Sequence, residues 1–249
     1  LTLHRRIQRQ RLRQDGAGWI GATWLVAAAG TAVALLADHF ALRTIAFEVV
    51  GVAVPLALLA EDKGHFEPAA LSYAMLRLGD AAFLGAILLI GQATGTLFIS
   101  PALEIGASLR GPWLTGIAGL FLLAAWIKVG AWPLHTWHLA GARHAPISRA
   151  WIHSTAVFSL GIYLLYRVSP LVSESPAAAA LALAAALAAL VSSIRAVAGE
   201  ASSRRTVYLH SWLASLALIC AMLNLGTIVY AFLPIVAVAG GLVWRSRQQ

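Results

Sequence analysis

What most constrains this chain is the spacing of its polar residues. Apolar blocks of about 20 residues, the length a helix needs to cross a bilayer, recur from end to end with short polar stretches between them. Eight segments are legible: Trp19 to Ala37, Ala41 to Ala60, Ala70 to Ile90, Trp113 to Trp137, Pro146 to Val168, Ala177 to Val197, Arg204 to Leu225 and Thr227 to Trp244. Of the 249 residues, 60% are hydrophobic and 11% charged, against about 25% charged in a soluble domain. Strands of an outer-membrane barrel would alternate polar and apolar residues over about 10 positions, which these continuous blocks do not do. The chain reads as an all-α polytopic membrane protein with about eight spans, surrounded by lipid.

The net charge of +8 would suit a nucleic-acid partner if the basic residues formed one patch, but they do not. Arg5, Arg6, Arg9, Arg11 and Arg13 precede the first apolar block, and most of the others fall in alternate loops, the pattern of a topology signal. With the amino terminus inside, Lys63, Arg143, Arg149, Arg195, Arg204, Arg205, Arg245 and Arg247 join those five in the cytoplasm, leaving Arg43, Arg110 and Arg167 outside. This predicts both termini in the cytoplasm, in a bacterial-type inner membrane. The block from Trp19 to Ala37 exceeds the 7 to 15 apolar residues of a cleavable signal peptide, so it is expected to be a retained span. The lone cysteine, Cys220, permits no internal disulfide.

Ionisable residues inside spans cost about 2.5 to 3.5 kcal/mol each on insertion scales, and four spans carry them. They are Glu48 in AFEVVG, Arg77 and Asp80 in RLGD, Lys128 in WIKVG and His153 in AWIHST. Arg77 and Asp80, three residues apart, share a helix face and can pair, either as a static structural bridge or as a working one. Glu48 and Lys128 stand on different helices. A lysine in a dry interior keeps its proton beside a carboxylate and releases it when the carboxylate withdraws, so this pair reads as a switchable proton carrier, or alternatively as a permanent bridge. His153 titrates nearest neutrality and is a proton relay or a hydrogen-bonded core residue.

The fourth segment contains Gly130 and Pro133 in KVGAWPLHTW. Proline removes a backbone donor and clashes with the preceding turn, so a broken helix is expected, with a simple kink as the alternative. Transporters place ion sites at such breaks, where protein or water satisfies the irregular backbone. His135, His138 and His144 cluster near it without the acidic or thiol ligands of a metal site, and none is predicted. Trp113, Trp132, Trp137, Trp151 and Trp244 read as interface anchors. The alanine-rich sixth segment reads as a packing helix whose small residues admit a close neighbour.

KVGAWPLHTW and the following APISRAWIHSTAVFSLGIYLLYRVSPL resemble the signature of the proton-translocating antiporter-like membrane subunits. Those occur in respiratory complex I, Mrp-type cation/proton antiporters, membrane-bound hydrogenases and the membrane half of energy-coupled inorganic-carbon accumulation systems. AFEVVG, RLGD and SSRRTVYLHSWLASLALICAMLNLG match further family segments in order, over roughly Ala41 to Gly226. The resemblance implies two inverted five-helix repeats, each with a lysine-bearing broken helix. By position it makes Glu48 the family glutamate, Lys128 its partner lysine, Asp80 the neighbouring acid and His153 the histidine leading to a central polar axis.

Residues 1–18 then form a basic cytoplasmic segment, 19–168 a complete first repeat, and 169–249 three helices of an incomplete second repeat. The last span carries none of the family's axial His and Lys residues, Arg149 is an extra basic residue, and Leu209, His210 and Ala214 replace Tyr, Ser and Gln. His210 is a substitute polar relay or makes a local hydrogen bond. The expected function is a truncated or divergent subunit that moves protons, or Na⁺, through a half-channel to energise a partner's reaction, with no cofactor of its own. Inorganic-carbon uptake beside a large soluble zinc protein is favoured over complex I. A non-transporting membrane anchor is the alternative, and at least one further subunit, antiporter-like or soluble, is expected as partner.

Overall fold

The computed structural model describes residues 2–61, 66–141, 157–198 and 202–245, with side chains described over 18–60, 66–139, 157–198 and 204–235. Ten helices make up almost all of it: α1 (Thr2–Leu36), α2 (Phe40–Glu61), α3 (Phe66–Thr94), α4 (Ile99–Gly106), α5 (Gly111–Val129), α6 (Thr136–Gly141), α7 (Val157–Ser173), α8 (Ala178–Val197), α9 (Ser202–Met222) and α10 (Gly226–Arg245). Among the described residues the one β element is an isolated antiparallel bridge between His39 and Phe98. Among the described residues each of the eight apolar segments overlaps a helix, the fourth being divided between α5 and α6.

Among the described residues five helices are long and apolar enough to cross a membrane: Gly18–Leu36 of α1, Phe40–Ala60, Phe66–Thr94, Gly111–Val129 and Ala178–Val197. Val157–Ser173 and Gly226–Ile235 are apolar and shorter, and α9 opens on the basic Arg204 and Arg205. Helix α4, eight residues long, is an addition that a search for span-length blocks passes over.

The spans differ in how far they are enclosed. Of the α5 span 61% is buried, against 22% for α1 and 28% for α8, so α5 is central and the other two are peripheral. It lies between α3 and α7, while α2 packs on both α1 and α3. Phe40, Phe47, Phe83 and Phe121 fill the space between α2, α3 and α5, with ring centroids 4.7 to 6.2 Å apart, the separations at which aromatic rings attract. Helix α8 turns its small residues Ala185, Ala188, Ser192 and Ala196 inward, and packs on α9. Leu183, Leu187, Leu190 and Ile194 are exposed. The alanine run thus packs as small residues do in membranes.

The expected break is present. Helix α5 stops at Val129 because Gly130 adopts a left-handed conformation (φ 62°), which glycine tolerates best. A Cβ there would also stand 2.5 Å from Nε2 of His138. The Trp132–Pro133 bond is cis, and α6 resumes three residues after the proline.

The opposite end is tied by polar groups. Phe40 and Ile99 donate to the carbonyls of Leu97 and Asp38 at 2.9 and 3.1 Å, joining the α1–α2 turn to the α3–α4 turn. Arg43, assigned above to an external loop, is instead buried in the first turn of α2. Its guanidinium donates to the carbonyls of Ala34 and Ala37 at 2.9 and 2.5 Å, groups that the end of α1 leaves without helical partners. It also lies 5.0 Å from the Tyr163 ring centre. Arg167 donates to Ser100 at 2.9 Å and Tyr163 at 3.2 Å, and reaches Asp38 at 3.4 Å.

Candidate functional site

Four intramembrane charges form one continuous row across three helices. Lys128 on α5 donates to Oδ1 of Asp80 on α3 at 2.6 Å, and both side chains are 2% exposed. The other Asp80 oxygen, Oδ2, lies 3.1 Å from Nη2 of Arg77, one helical turn earlier. Nη1 of Arg77 contacts the Glu48 carboxylate directly, and Nη2 donates to the Glu48 backbone carbonyl at 3.2 Å. The signs alternate along Glu48, Arg77, Asp80 and Lys128, so the row sums to zero.

The local sequence explains the assembly. Arg77 and Asp80 share a face of α3 because they are three residues apart. Helix α2 presents Phe47, Glu48 and Gly51 to that face. A Cβ on Gly51 would stand 2.5 Å from Nη2 of Arg77 and 2.9 Å from Oδ2 of Asp80, so the absent side chain lets the backbone pass close to both charges. The Phe47 ring sits 4.2 Å from Lys128 Nζ and the Tyr73 ring 5.4 Å from Arg77 Cζ, cation–π contacts that soften desolvation.

Exposure falls along the row, from 46% at Glu48 and 25% at Arg77 to 2% at Asp80 and Lys128. Glu48 opens into a groove of about 490 Å³ between α1 and α2, lined otherwise by residues such as Trp19, Val26, Val49, Val52 and Leu56. One end of the row is therefore exposed and the other buried and central. Two buried charges leave water at a cost that only close, well-formed pairing offsets, and the 2.6 Å contact supplies that.

Of the residues singled out from sequence, Glu48, Arg77, Asp80 and Lys128 come together. The immediate partner of Lys128 is Asp80, with Glu48 one step further through Arg77. His210 is buried on α9, edge-on to Phe158 at 5.7 Å. His153, Arg149, His144 and Trp151 lie outside the described residues. His135 and His138 are buried at the break, His135 beside Tyr208 at 5.5 Å and His138 edge-on to Trp137 at 3.7 Å. Trp137, read above as an interface anchor, is fully buried and donates to the carbonyl of Ile127 at 3.1 Å, an acceptor it shares with the Gly130 amide. Among the described residues no cluster of His, Cys, Asp or Glu could hold a metal.

Sequence reasoning passed over Ser192 and Ser211. Buried on α8 and α9, their hydroxyls are 2.9 Å apart, and Ser211 accepts from the Trp132 amide at 2.8 Å. Nothing in the local sequence of either serine announces this.

The described helices thus form a bundle with a broken central helix and a buried acid–lysine pair beside the break. Residues 37–233 match the family described as NADH:quinone oxidoreductase/Mrp antiporter, transmembrane, and the chain belongs to it. It is 26% identical over 145 residues to the Na⁺/H⁺ antiporter subunit A1 of Staphylococcus epidermidis, a stretch covering 57% of this chain and 18% of that protein. It is 29% identical over 150 residues to NADH-quinone oxidoreductase subunit L of Mycobacterium tuberculosis, covering 58% and 23%. The matches thus span under a quarter of either relative. In fold it resembles a chain of respiratory complex I from Thermus thermophilus, with a TM-score of 0.74 and 24% identity over 92% of this chain and 54% of that one. The protein is an antiporter-like membrane protein of the complex I and Mrp family.

Proposed function

We propose that this subunit translocates protons, with Na⁺ as the alternative cargo, and that the Glu48–Arg77–Asp80–Lys128 row is its switching element. The observation that carries this is Asp80, held between two cations, with one oxygen on Lys128 at 2.6 Å and the other on Arg77 at 3.1 Å. A small turn of this carboxylate toward Arg77 takes the counter-ion from Lys128. A buried lysine without an adjacent anion favours its neutral form, so the motion releases a proton, and return of the carboxylate favours its recapture. Glu48, at the exposed end, can draw Arg77 away from Asp80 and reset the row. His153 and His210 are proposed as relays beyond it.

Residues 19–168 are read as the first five-helix repeat, 169–249 as helices of a second and 1–18 as a basic cytoplasmic segment, in a bacterial-type inner membrane with both termini inside. The partner whose reaction the flux energises is proposed to be the large soluble zinc protein of an inorganic-carbon system, on the sequence resemblance alone. Affinity capture from native membranes tests this, since recovery of NADH-oxidising subunits would assign the chain to complex I instead.

The test of translocation is proton uptake into energised vesicles containing the native complex. Lys128→Met and Glu48→Gln should abolish uptake at wild-type abundance. Normal uptake in both variants would reduce the row to a structural bridge and favour the membrane-anchor reading.

A further inference from the structure

We infer that Ser211, steadied by Ser192, is a positioning residue that fixes the break after α5 and thereby holds Lys128 against Asp80. The inference deepens the proton-carrier reading of Lys128 and rests on it for its functional consequence.

The break has to dispose of three successive backbone donors before Pro133, which has none. Gly130 donates to the carbonyl of Ile127 at 3.1 Å and Ala131 to that of Trp126 at 3.4 Å, both back into α5. The third, on Trp132, leaves α5 altogether and donates to Oγ of Ser211 on α9 at 2.8 Å. The carbonyl of the same residue accepts from Nε1 of Trp126 at 3.1 Å. Trp132 is thus gripped through its carbonyl by the lysine-bearing helix and through its amide by a helix outside the charged row.

Ser211 is 1% exposed and Ser192 is fully buried. Their 2.9 Å contact orients the Ser211 hydroxyl, which can accept from Trp132 while sharing a hydrogen with Ser192. Ser192 reaches it because it lies on the small-residue face of α8 that packs on α9. Trp132 lies four positions after Lys128, about the length of one helical turn. A shift of the Trp132 peptide is therefore passed through Gly130 to the last turn of α5, where Lys128 sits. Ser215, one turn further along α9, is the natural contrast: it too is buried, but its hydroxyl donates within α9, to the carbonyl of Ser211 at 2.8 Å.

Two readouts test this on the intact complex, and one of them does not depend on transport. In hydrogen exchange, Ser211→Ala should speed exchange of the segment 130–135 by about tenfold, the equivalent of one net hydrogen bond, and Ser215→Ala should leave it unchanged. In vesicles, Ser211→Ala should lower proton uptake by about tenfold, a fraction of the roughly hundredfold that a misplacement of about 1 Å can cost. Ser211→Thr, which keeps the hydroxyl, should restore both readouts. If Ser211→Ala fails to accumulate, Ser192→Ala should speed exchange of the same segment. Wild-type exchange in the accumulating variant would overturn the clamp, as would equal loss of uptake in Ser211→Ala and Ser211→Thr. Should Lys128→Met retain uptake, the proton-carrier reading fails while the exchange result still decides the clamp.

Discussion

Removing Asp80 and removing Lys128 should not cost the same, although they are the two halves of one pair. Asp80→Asn leaves the Lys128 amine 2% exposed with the Phe47 ring at 4.2 Å as its described company and no carboxylate to hold its proton. Breaking a buried pair in this way costs about 3 to 5 kcal/mol. Lys128→Met leaves Asp80 with a second cation, Arg77, at 3.1 Å, so the remaining charge is still paired and the loss should be nearer the roughly 1 to 3 kcal/mol of an under-satisfied buried group. The double variant buries no uncompensated lysine. Its cost should fall short of the sum of the two by up to about 3 kcal/mol, the range found for residues in direct contact. Unfolding in mixed micelles titrated with a denaturing detergent, followed by tryptophan fluorescence, gives the four free energies of the cycle. Single-variant costs that add within about 0.5 kcal/mol, or a Lys128→Met variant less stable than Asp80→Asn, would refute the reasoning.

Glu48→Gln should cost under about 1 kcal/mol in the same assay, because Glu48 is 46% exposed and Arg77 keeps Asp80. Gly161→Ala should destabilise by about 1 to 3 kcal/mol through overpacking, since its Cβ would stand 2.8 Å from the Val129 backbone nitrogen; wild-type stability would show that α7 can draw back. Arg43→Met should loosen the end of α1 by stripping the Ala34 and Ala37 carbonyls of their donor, read as faster proteolysis at that turn. At Asp38, slight burial would raise the carboxyl but is outweighed by the hydrogen bond from Ser100 and by Arg167, which hold it below its ordinary value. A lowered folded-state value stabilises the fold above about pH 4 and loses that contribution as pH falls through it. Asp38→Asn should therefore be slightly less stable than wild type at neutral pH and should converge with it in acid.

The spans were legible because the bilayer sets one length scale, and a block such as Ala41 to Ala60 has no other use for its residues. The break was legible because Gly130 and Pro133 each forbid something local. Glu48, Arg77, Asp80 and Lys128 stood out because a charge in an apolar span is expensive, yet their order did not. Whether Lys128 meets Glu48 or Asp80 depends on helix rotation, which the close passage of Gly51 sets in three dimensions. Arg43 was misplaced because a charge count at a span end does not distinguish a loop from a buried cap. Trp137 was misplaced for a similar reason, as a tryptophan at a span end suits an interface unless a carbonyl such as that of Ile127 faces it. Ser192 and Ser211 were invisible because serine is common in membrane helices and only tertiary contact gives these two a task.

The central claim is that Asp80 sets the charge on Lys128. The sequence contains two lysines, Lys63 and Lys128, so protein labelled with ¹⁵N-lysine gives two side-chain nitrogen signals, and Lys128→Met identifies which belongs to the buried one. At neutral pH the wild-type Lys128 signal should be that of an ammonium shielded from water. In Asp80→Asn it should become that of a neutral amine, while the Lys63 signal stays unchanged. An unaltered Lys128 ammonium in the variant would contradict the account, because the carboxylate would then not govern the proton it is proposed to release.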